Sequence, residues 1–194
     1  MIDTFVNHPF QSNPKIYKIN DTDILFIDSY SYTGNIRLCI YNLDQNIHIG
    51  KFCSIANDVE FTLVENHFMS GISTYPFENI FPNNVNIMNN SSPHNNITIG
   101  NDVWIGRGAK IMSGVKISDG VIIGANCQVS KDIPPYAKVI GNPMKIIGYR
   151  FNPEDIETLL KLKWWNYDID FIGNNLKYMY QSDVFRFASI FLKS

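Results

Sequence analysis

The chain has 194 residues, a formal net charge of −2 and 13% aromatic residues. That length fits one domain with a small appendage and can bury a sizeable core, and the aromatic content excludes a disordered chain. A charge this close to zero gives no reason to expect nucleic acid or an anionic membrane surface as the main partner.

The start, MIDTFVNHPF, has no basic segment followed by an apolar stretch, and no uninterrupted apolar run is long enough to span a bilayer. The expectation is a cytoplasmic protein with no membrane span. Three cysteines with no CxxC or Cys/His spacing give neither a disulfide framework nor a zinc site, so reduced thiols and no metal are expected.

In chain order, the first periodic signal is Leu43, Ile49, Ile55 and Phe61, at every sixth position. Ile99, Ile105, Ile111, Ile117, Ile123 and Val129 resume it, and the fifth position after each is Val103, Ala109, Val115, Val121, Cys127 and Ile133. A period of six suits neither an amphipathic helix nor a long alternating strand. It is the signature of a parallel β-helix, in which one hexapeptide makes a flat face plus a corner and three faces close a triangular coil. The aliphatic opener points into the axis, and the fifth position faces a crowded region. Gly100, Gly106 and Gly124 follow openers and suit tight corners. Cys53 and Cys127 occupy the small fifth position and read as packing residues.

The step from Phe61 to Ile99 is not a multiple of six, so the frame breaks between about 62 and 97. That stretch reads as a loop thrown out from the coils, and a long loop in a compact solenoid is a functional candidate. After residue 150 the pattern turns helical. Asn152 with Asp155 forms an N-cap pair, Pro153 suits the first turn, IETLLKLKWW has helical spacing, and Asp168 caps a second helix over IDFIGNNLKYMY. Trp164 and Trp165 are expected to pin these helices onto the solenoid. The expected organisation is a domain over 1–150 with a loop insertion at about 62–97, and a helical extension over 151–194.

NDVWIG at 101–106, IGANCQVSKDIPPYAKVIGNPMK at 123–145, RF at 150–151 and WWNY at 164–167 resemble hexapeptide-repeat acyltransferases. IGKFCSI at 49–55, and NH…STYPF at 66–77, narrow the likeness to the xenobiotic acetyltransferase branch. That branch includes streptogramin and type B chloramphenicol acetyltransferases as well as enzymes acetylating sugars and surface polysaccharides. The resemblance implies an all-β solenoid, specifically a left-handed parallel β-helix with a long catalytic loop insertion and a C-terminal α-helical extension. It also implies acetyl-CoA as the donor, and a homotrimer with active sites between subunits.

Acetyl transfer to a hydroxyl needs a base, and imidazole titrates near neutrality. His67 lies in ENHFMSGISTYPF, where the family carries its catalytic histidine, and is expected to be the general base. His48 reads as a face residue, His8 has no context, and His94 sits in a polar stretch of the loop with a lesser claim to the acceptor. By resemblance, Ala125 contacts the pantetheine arm through its backbone, while Ser130, Lys131 and Lys145 lie along the nucleotide end. For any one lysine the plain alternative is a solvated surface charge. Arg107 follows WIG, where the family uses backbone near the thioester. Trp104 either covers a corner of the coil or lines the donor–acceptor cleft. Tyr30 and Tyr32 in DSYSYTG resemble an acceptor-side motif, with packing as the alternative. No GxSxG elbow is present, so a serine triad has no support.

Two departures from drug-modifying relatives bear on the acceptor. The passage from the SY motif to IGKFCSI is short, and the loop reads HFMSGISTYPF in place of the common HRMDGSTYPF. Both favour a carbohydrate hydroxyl, on a surface polysaccharide or its precursor. The alternatives are a streptogramin- or chloramphenicol-like drug, N-acetylation of an amino sugar, or a scaffold that has lost catalysis.

Overall fold

The computed structural model describes residues 1–41, 43–63, 71–75, 77, 80–81 and 96–192. Most of these are strands, and three ladders of parallel strands dominate. The first face stacks β3 (Thr22–Ile27), β5 (Ile47–Ile49), β8 (Ile97–Ile99) and β11 (Lys116–Ile117). The second stacks β6 (Ser54–Ile55), β9 (Trp104–Ile105), β12 (Ile122–Ile123) and β14 (Ala137–Ile140). The third stacks β7 (Glu60–Leu63), β10 (Lys110–Met112) and β13 (Gln128–Val129). The chain visits first, second and third face in turn and then repeats. Ile99 pairs with Ile117, Ile105 with Ile123, and Ile111 with Val129, so each opener stacks on the third opener after it. One coil is therefore three hexapeptides.

The openers from Ile99 to Val129 and the fifth positions from Val103 to Cys127 are all buried, none more than 4% exposed. Burying a side chain of this size removes it from water at a gain of about 1.5–3 kcal/mol each. The branched side chains also suit extended backbone. Corners are tied by side chains as well as backbone. Asn101 Oδ1 accepts from the Lys51 N–H at 2.9 Å, and Asp119 Oδ1 from the Asn101 N–H at 2.7 Å, so an Asx residue two after an opener links each coil to its neighbour.

Three details depart from the hexapeptide frame. Ile133 does not take a fifth position. It bridges to Ile117, where a strict frame would bring Pro135, and Val139 pairs with Ile123, where it would bring Gly141. The last coil is thus slightly short. Ile49 pairs with Ile99 and Phe61 with Ile111, far more than three hexapeptides along the chain, because a long insertion separates β7 from β8. An additional coil precedes Leu43. Ile27 stacks on Ile49, Thr33 on Ile55 and Leu38 on Phe61, with offsets longer than three hexapeptides and unequal, which hides the period. The strand β4 (Tyr32–Ile40) turns the corner between the second and third faces in one piece.

Added strands flank the stack, two at its first coil and one at its last. β1 (Ile2–His8) runs antiparallel to β4, β2 (Lys15–Ile19) antiparallel to β3, and β15 (Lys145–Tyr149) antiparallel to β14. Such closure leaves fewer open edges for other chains. Then come α1 (Pro153–Leu162), α2 (Ile169–Asn174), α3 (Leu176–Met179) and α4 (Val184–Phe191). Asn152 caps α1 by accepting from the Asp155 N–H at 2.9 Å, and Asp168 caps α2. The helical pattern over IETLLKLKWW stops early because Lys163 is left-handed, with φ of 49°, and Trp164–Asn166 form a separate 3₁₀ turn. The expected single helix over 169–180 breaks at Asn175, and α4 is an addition. Trp164, Trp165, Phe187 and Phe191 form a second apolar cluster with Tyr136, and the Trp164 ring lies 4.9 Å from Phe52 of the coils. No helix among the described residues is long and apolar enough to cross a membrane.

Candidate functional site

Strand alternation turns Tyr32, Ser54, Trp104, Ile122 and Lys138 outward in one row across the second face. Trp104 is 55% exposed and Tyr32 43% exposed, separated by the smaller Ser54. Trp104 is thus a strand residue on an open face and does not cover a corner. An exposed indole has little to gain from water and is a ready apolar wall for a ligand.

Beyond this face comes the corner that carries Arg107 and Ala125. The coils stack tightly here, since a Cβ on Gly106 would lie 2.7 Å from the Ala125 nitrogen. The Gly124 N–H donates to the Val139 carbonyl and the Asn126 N–H to the Arg107 carbonyl, both at 2.9 Å. Among the described residues no backbone acceptor is paired with the Ala125 N–H between them. Ala125 itself is exposed at this corner. The Arg107 side chain stands in solvent and reaches Asp58 at 3.8 Å, an exposed pair of little energetic weight. Lys145 is exposed on β15 opposite Ile140, whose side chain fills the space that a Cβ on Gly124 would need. Trp104, Arg107, Ala125 and Lys145 therefore belong to one face and its adjoining corner.

Ser130 and Lys131 lie elsewhere. They follow β13 at the corner between the third and first faces, and both are exposed. One coil earlier this corner is residues 113–115, and two coils earlier it is the place where the 64–96 insertion departs and returns. Asp132 of the same SKD stretch accepts the Lys116 N–H at 2.8 Å and so fixes the corner. His67 and His94 lie outside the described residues.

The two tyrosines expected on the acceptor side, Tyr30 and Tyr32, differ. Tyr30 adopts φ of 63°, is half-buried and stacks on Phe52 at 4.9 Å, in a chain of rings that continues to Trp164. Tyr30 thus has a ring partner within the chain, whereas Tyr32 presents its ring to solvent. Burial pushes the Cys53 thiol up to about 12, and the Cys39 and Cys127 thiols also rise above the usual range. All three are buried and free, which suits packing residues rather than nucleophiles. His48 is exposed on the first face. His8 is fully buried, with Nδ1 2.8 Å from the Tyr17 hydroxyl, and burial holds its pKa below the usual value.

The sequence pattern missed one polar cluster. Arg150 Nη1 donates to Asp102 Oδ2 at 2.8 Å and to the Gly120 carbonyl at 2.9 Å, with its guanidinium 5.3 Å from the Tyr136 ring. Its members are scattered along the chain and share no spacing rule; an arginine just before the helical extension was the only visible hint.

An outward aromatic wall, an exposed corner at Ala125 and exposed lysines suit a long ligand with an apolar part and an anionic end. Comparison with known proteins agrees with the repeat. Residues 96–131 match the family model described as bacterial transferase hexapeptide (six repeats). The chain is 49% identical over 137 residues to a probable macrolide acetyltransferase of Lysinibacillus sphaericus, covering 66% of this chain and 74% of that protein. It is 41% identical over 196 residues to virginiamycin A acetyltransferase of Staphylococcus aureus, covering 91% and 87%. A solved polysialic acid O-acetyltransferase is 26% identical, covers 71% of this chain and 63% of its own, and superposes with a TM-score of 0.47.

Proposed function

The chain belongs to the hexapeptide-repeat acetyltransferases, and on that premise we propose that it moves the acetyl group of acetyl-CoA onto a hydroxyl by direct attack. The observation that carries this reading is 41% identity along most of the chain to an acetyltransferase, joined to an exposed edge whose groups suit coenzyme A. Trp104 walls the thioester end and the Ala125 N–H pairs with the pantetheine arm. Lys145, Ser130 and Lys131 meet the phosphates, and Arg107 marks the backbone near the thioester.

In this mechanism His67 accepts the proton of the acceptor hydroxyl as its oxygen attacks the thioester carbonyl. The oxyanion is held by backbone N–H groups of the coil edge. The carbon–sulfur bond then breaks, and the imidazolium returns the proton to the thiolate. No covalent enzyme intermediate is formed, and holding both substrates together lowers the entropic part of the barrier. The three ladders wind as a left-handed parallel β-helix over 1–150, with 151–194 as its helical extension. Because the candidate donor-site residues lie on two different corners of one chain, the working cleft is formed between copies. A homotrimer supplies that geometry, with the Tyr32–Trp104 face lining the cleft between copies.

Two acceptor readings each rest on an observation. The names of the relatives favour a hydroxyl on a streptogramin- or macrolide-like drug. The short passage between Tyr32 and Ile49, and the loss of the common loop's Arg and Asp, favour a carbohydrate hydroxyl in a more open cleft. Acyl transfer assayed in parallel with virginiamycin, a macrolide, chloramphenicol and a panel of sugars and glycan oligosaccharides separates them. Turnover confined to the drugs selects the first, and turnover confined to the carbohydrates selects the second. Acetylation of amines alone would overturn the hydroxyl reading.

A further inference from the structure

Among the described residues the buried polar side chains are His8, Ser31, Thr33 and Gln45, and three of these four surround Tyr32. Ser31 and Thr33 are its neighbours in the chain. His8 pairs with Thr33 across β1 and β4, and its ring faces the Ser31 backbone. Packing does not call for polar groups here. Ser31 holds the fifth position after Ile27, and in later coils the same corner is filled by Cys53, Val103, Val121 and Ala137, all buried. The last three of these close the corner with apolar side chains alone.

Each polar group around Tyr32 has a definite partner. The Ser31 hydroxyl donates to the Gly50 carbonyl at 2.5 Å and accepts the Cys53 N–H at 2.8 Å. One side chain therefore joins both ends of the 50–53 turn to the residue before Tyr32. Cys53 repeats the device one coil later, its thiol donating to the Gly100 carbonyl at 3.1 Å. On the other side of Tyr32, the His8 N–H donates to Thr33 Oγ1 at 3.1 Å. The Tyr32 N–H itself donates to the Cys53 carbonyl at 3.0 Å. Buried hydroxyls with their bonds made hold the backbone in one arrangement, and removing them leaves buried groups unpaired. What this cradle holds in place is an exposed ring, two strands away from Trp104.

We propose that Ser31, Thr33 and His8 are positioning residues for acetyl transfer, pinning the backbone on both sides of Tyr32 so that its ring keeps one place in the cleft and meets the acceptor. This rests on the acetyltransferase reading above and on Tyr32 facing the acceptor. All three residues are buried, so they act through Tyr32 and touch no substrate. Trp104, Ala125 and the lysines stand outside the cradle, so it governs the acceptor and leaves acetyl-CoA binding alone.

The test uses the full-length protein labelled with 3-fluorotyrosine, followed by fluorine NMR and steady-state kinetics, with Tyr32→Phe assigning the Tyr32 signal. Ser31→Ala removes one hydroxyl, and Ser31→Cys keeps a group that bonds as Cys53 does. Thr33→Val removes the other hydroxyl at nearly constant shape and gives a second reading should Ser31→Ala not fold. Leu38→Ala, at a buried position further along β4, controls for lost stability alone. Kinetics use whichever of virginiamycin, a macrolide, chloramphenicol and the glycan oligosaccharides the wild type acetylates fastest. Ser31→Ala and Thr33→Val are expected to displace the Tyr32 signal and to raise the acceptor KM about three- to tenfold at unchanged acetyl-CoA KM. Ser31→Cys is expected to stay within about twofold of the wild type. Leu38→Ala is expected to lower the melting temperature without changing the acceptor KM. An unmoved Tyr32 signal in the hydroxyl variants, an equal rise in both KM values, or the same acceptor effect in Leu38→Ala would each overturn the proposal. So would Ser31→Cys behaving like Ser31→Ala. No turnover of any acceptor by the wild type would strike the acetyltransferase reading and this inference with it, a result distinct from turnover that ignores the cradle.

Discussion

At the scale of single residues, burial separates packing groups from available ones. Cys53 and Trp104 both belong to hexapeptide motifs, yet the first is fully buried and the second more than half exposed. Trp104→Ala is expected to raise the KM for acetyl-CoA several-fold with a smaller effect on thermal stability, as measured by steady-state kinetics and a melting curve; unchanged KM would remove Trp104 from the donor site. His8 provides a pH prediction. Its folded pKa lies below the unfolded value of about 6.5 because burial disfavours the charged ring. The unfolded chain therefore binds the proton first, and stability present above that value falls as pH drops toward the folded pKa. His8→Asn is expected to flatten the acid limb of a denaturation series between pH 7 and 5, with an unchanged limb counting against this role. Trp104 and Tyr32 could be singled out from their motifs, but Tyr30 could not be told from Tyr32 by sequence. Their difference arises from a left-handed turn that folds Tyr30 onto Phe52.

At the scale of elements, the hexapeptide frame was legible wherever corners had equal length. From Ile99 to Val129 every aliphatic opener is a buried, paired residue, because an integer period lets identical side chains stack coil on coil. The first coil escaped notice since its longer and unequal offsets destroy the period, and Ile133 was misplaced because its corner is shortened. Early termination of α1 depends on a lysine in left-handed conformation, which composition does not signal. Corner packing makes its own prediction. Gly106→Val adds a Cβ 2.7 Å from the Ala125 nitrogen, where backbone must move. That variant is expected to lose both thermal stability and acetyl-CoA affinity, while Ile111→Ala, at a core position away from that corner, is expected to cost about 2–5 kcal/mol of stability with affinity retained in the folded fraction. Calorimetry with titration of acetyl-CoA distinguishes the two patterns, and unaltered affinity in Gly106→Val would separate this corner from the donor site.

At the scale of the whole molecule, three ladders of parallel strands provide the frame that positions the candidate residues. Donor-site candidates occupy one face and two corners of a single chain, and the proposed function has a second copy complete them. Light scattering is expected to give three copies per particle, and disruption of the Tyr32–Trp104 face is expected to lower activity together with assembly. A fully active monomer would contradict the shared cleft. Direct acyl transfer by His67 is the central claim, and acceptor-dependent thiol release from acetyl-CoA, measured for wild type and His67→Ala side by side, tests it most directly. The account predicts release by the wild type with a hydroxyl acceptor and a loss of about 10²–10⁴-fold in His67→Ala at unchanged acetyl-CoA binding. Equal rates from the two proteins would contradict it.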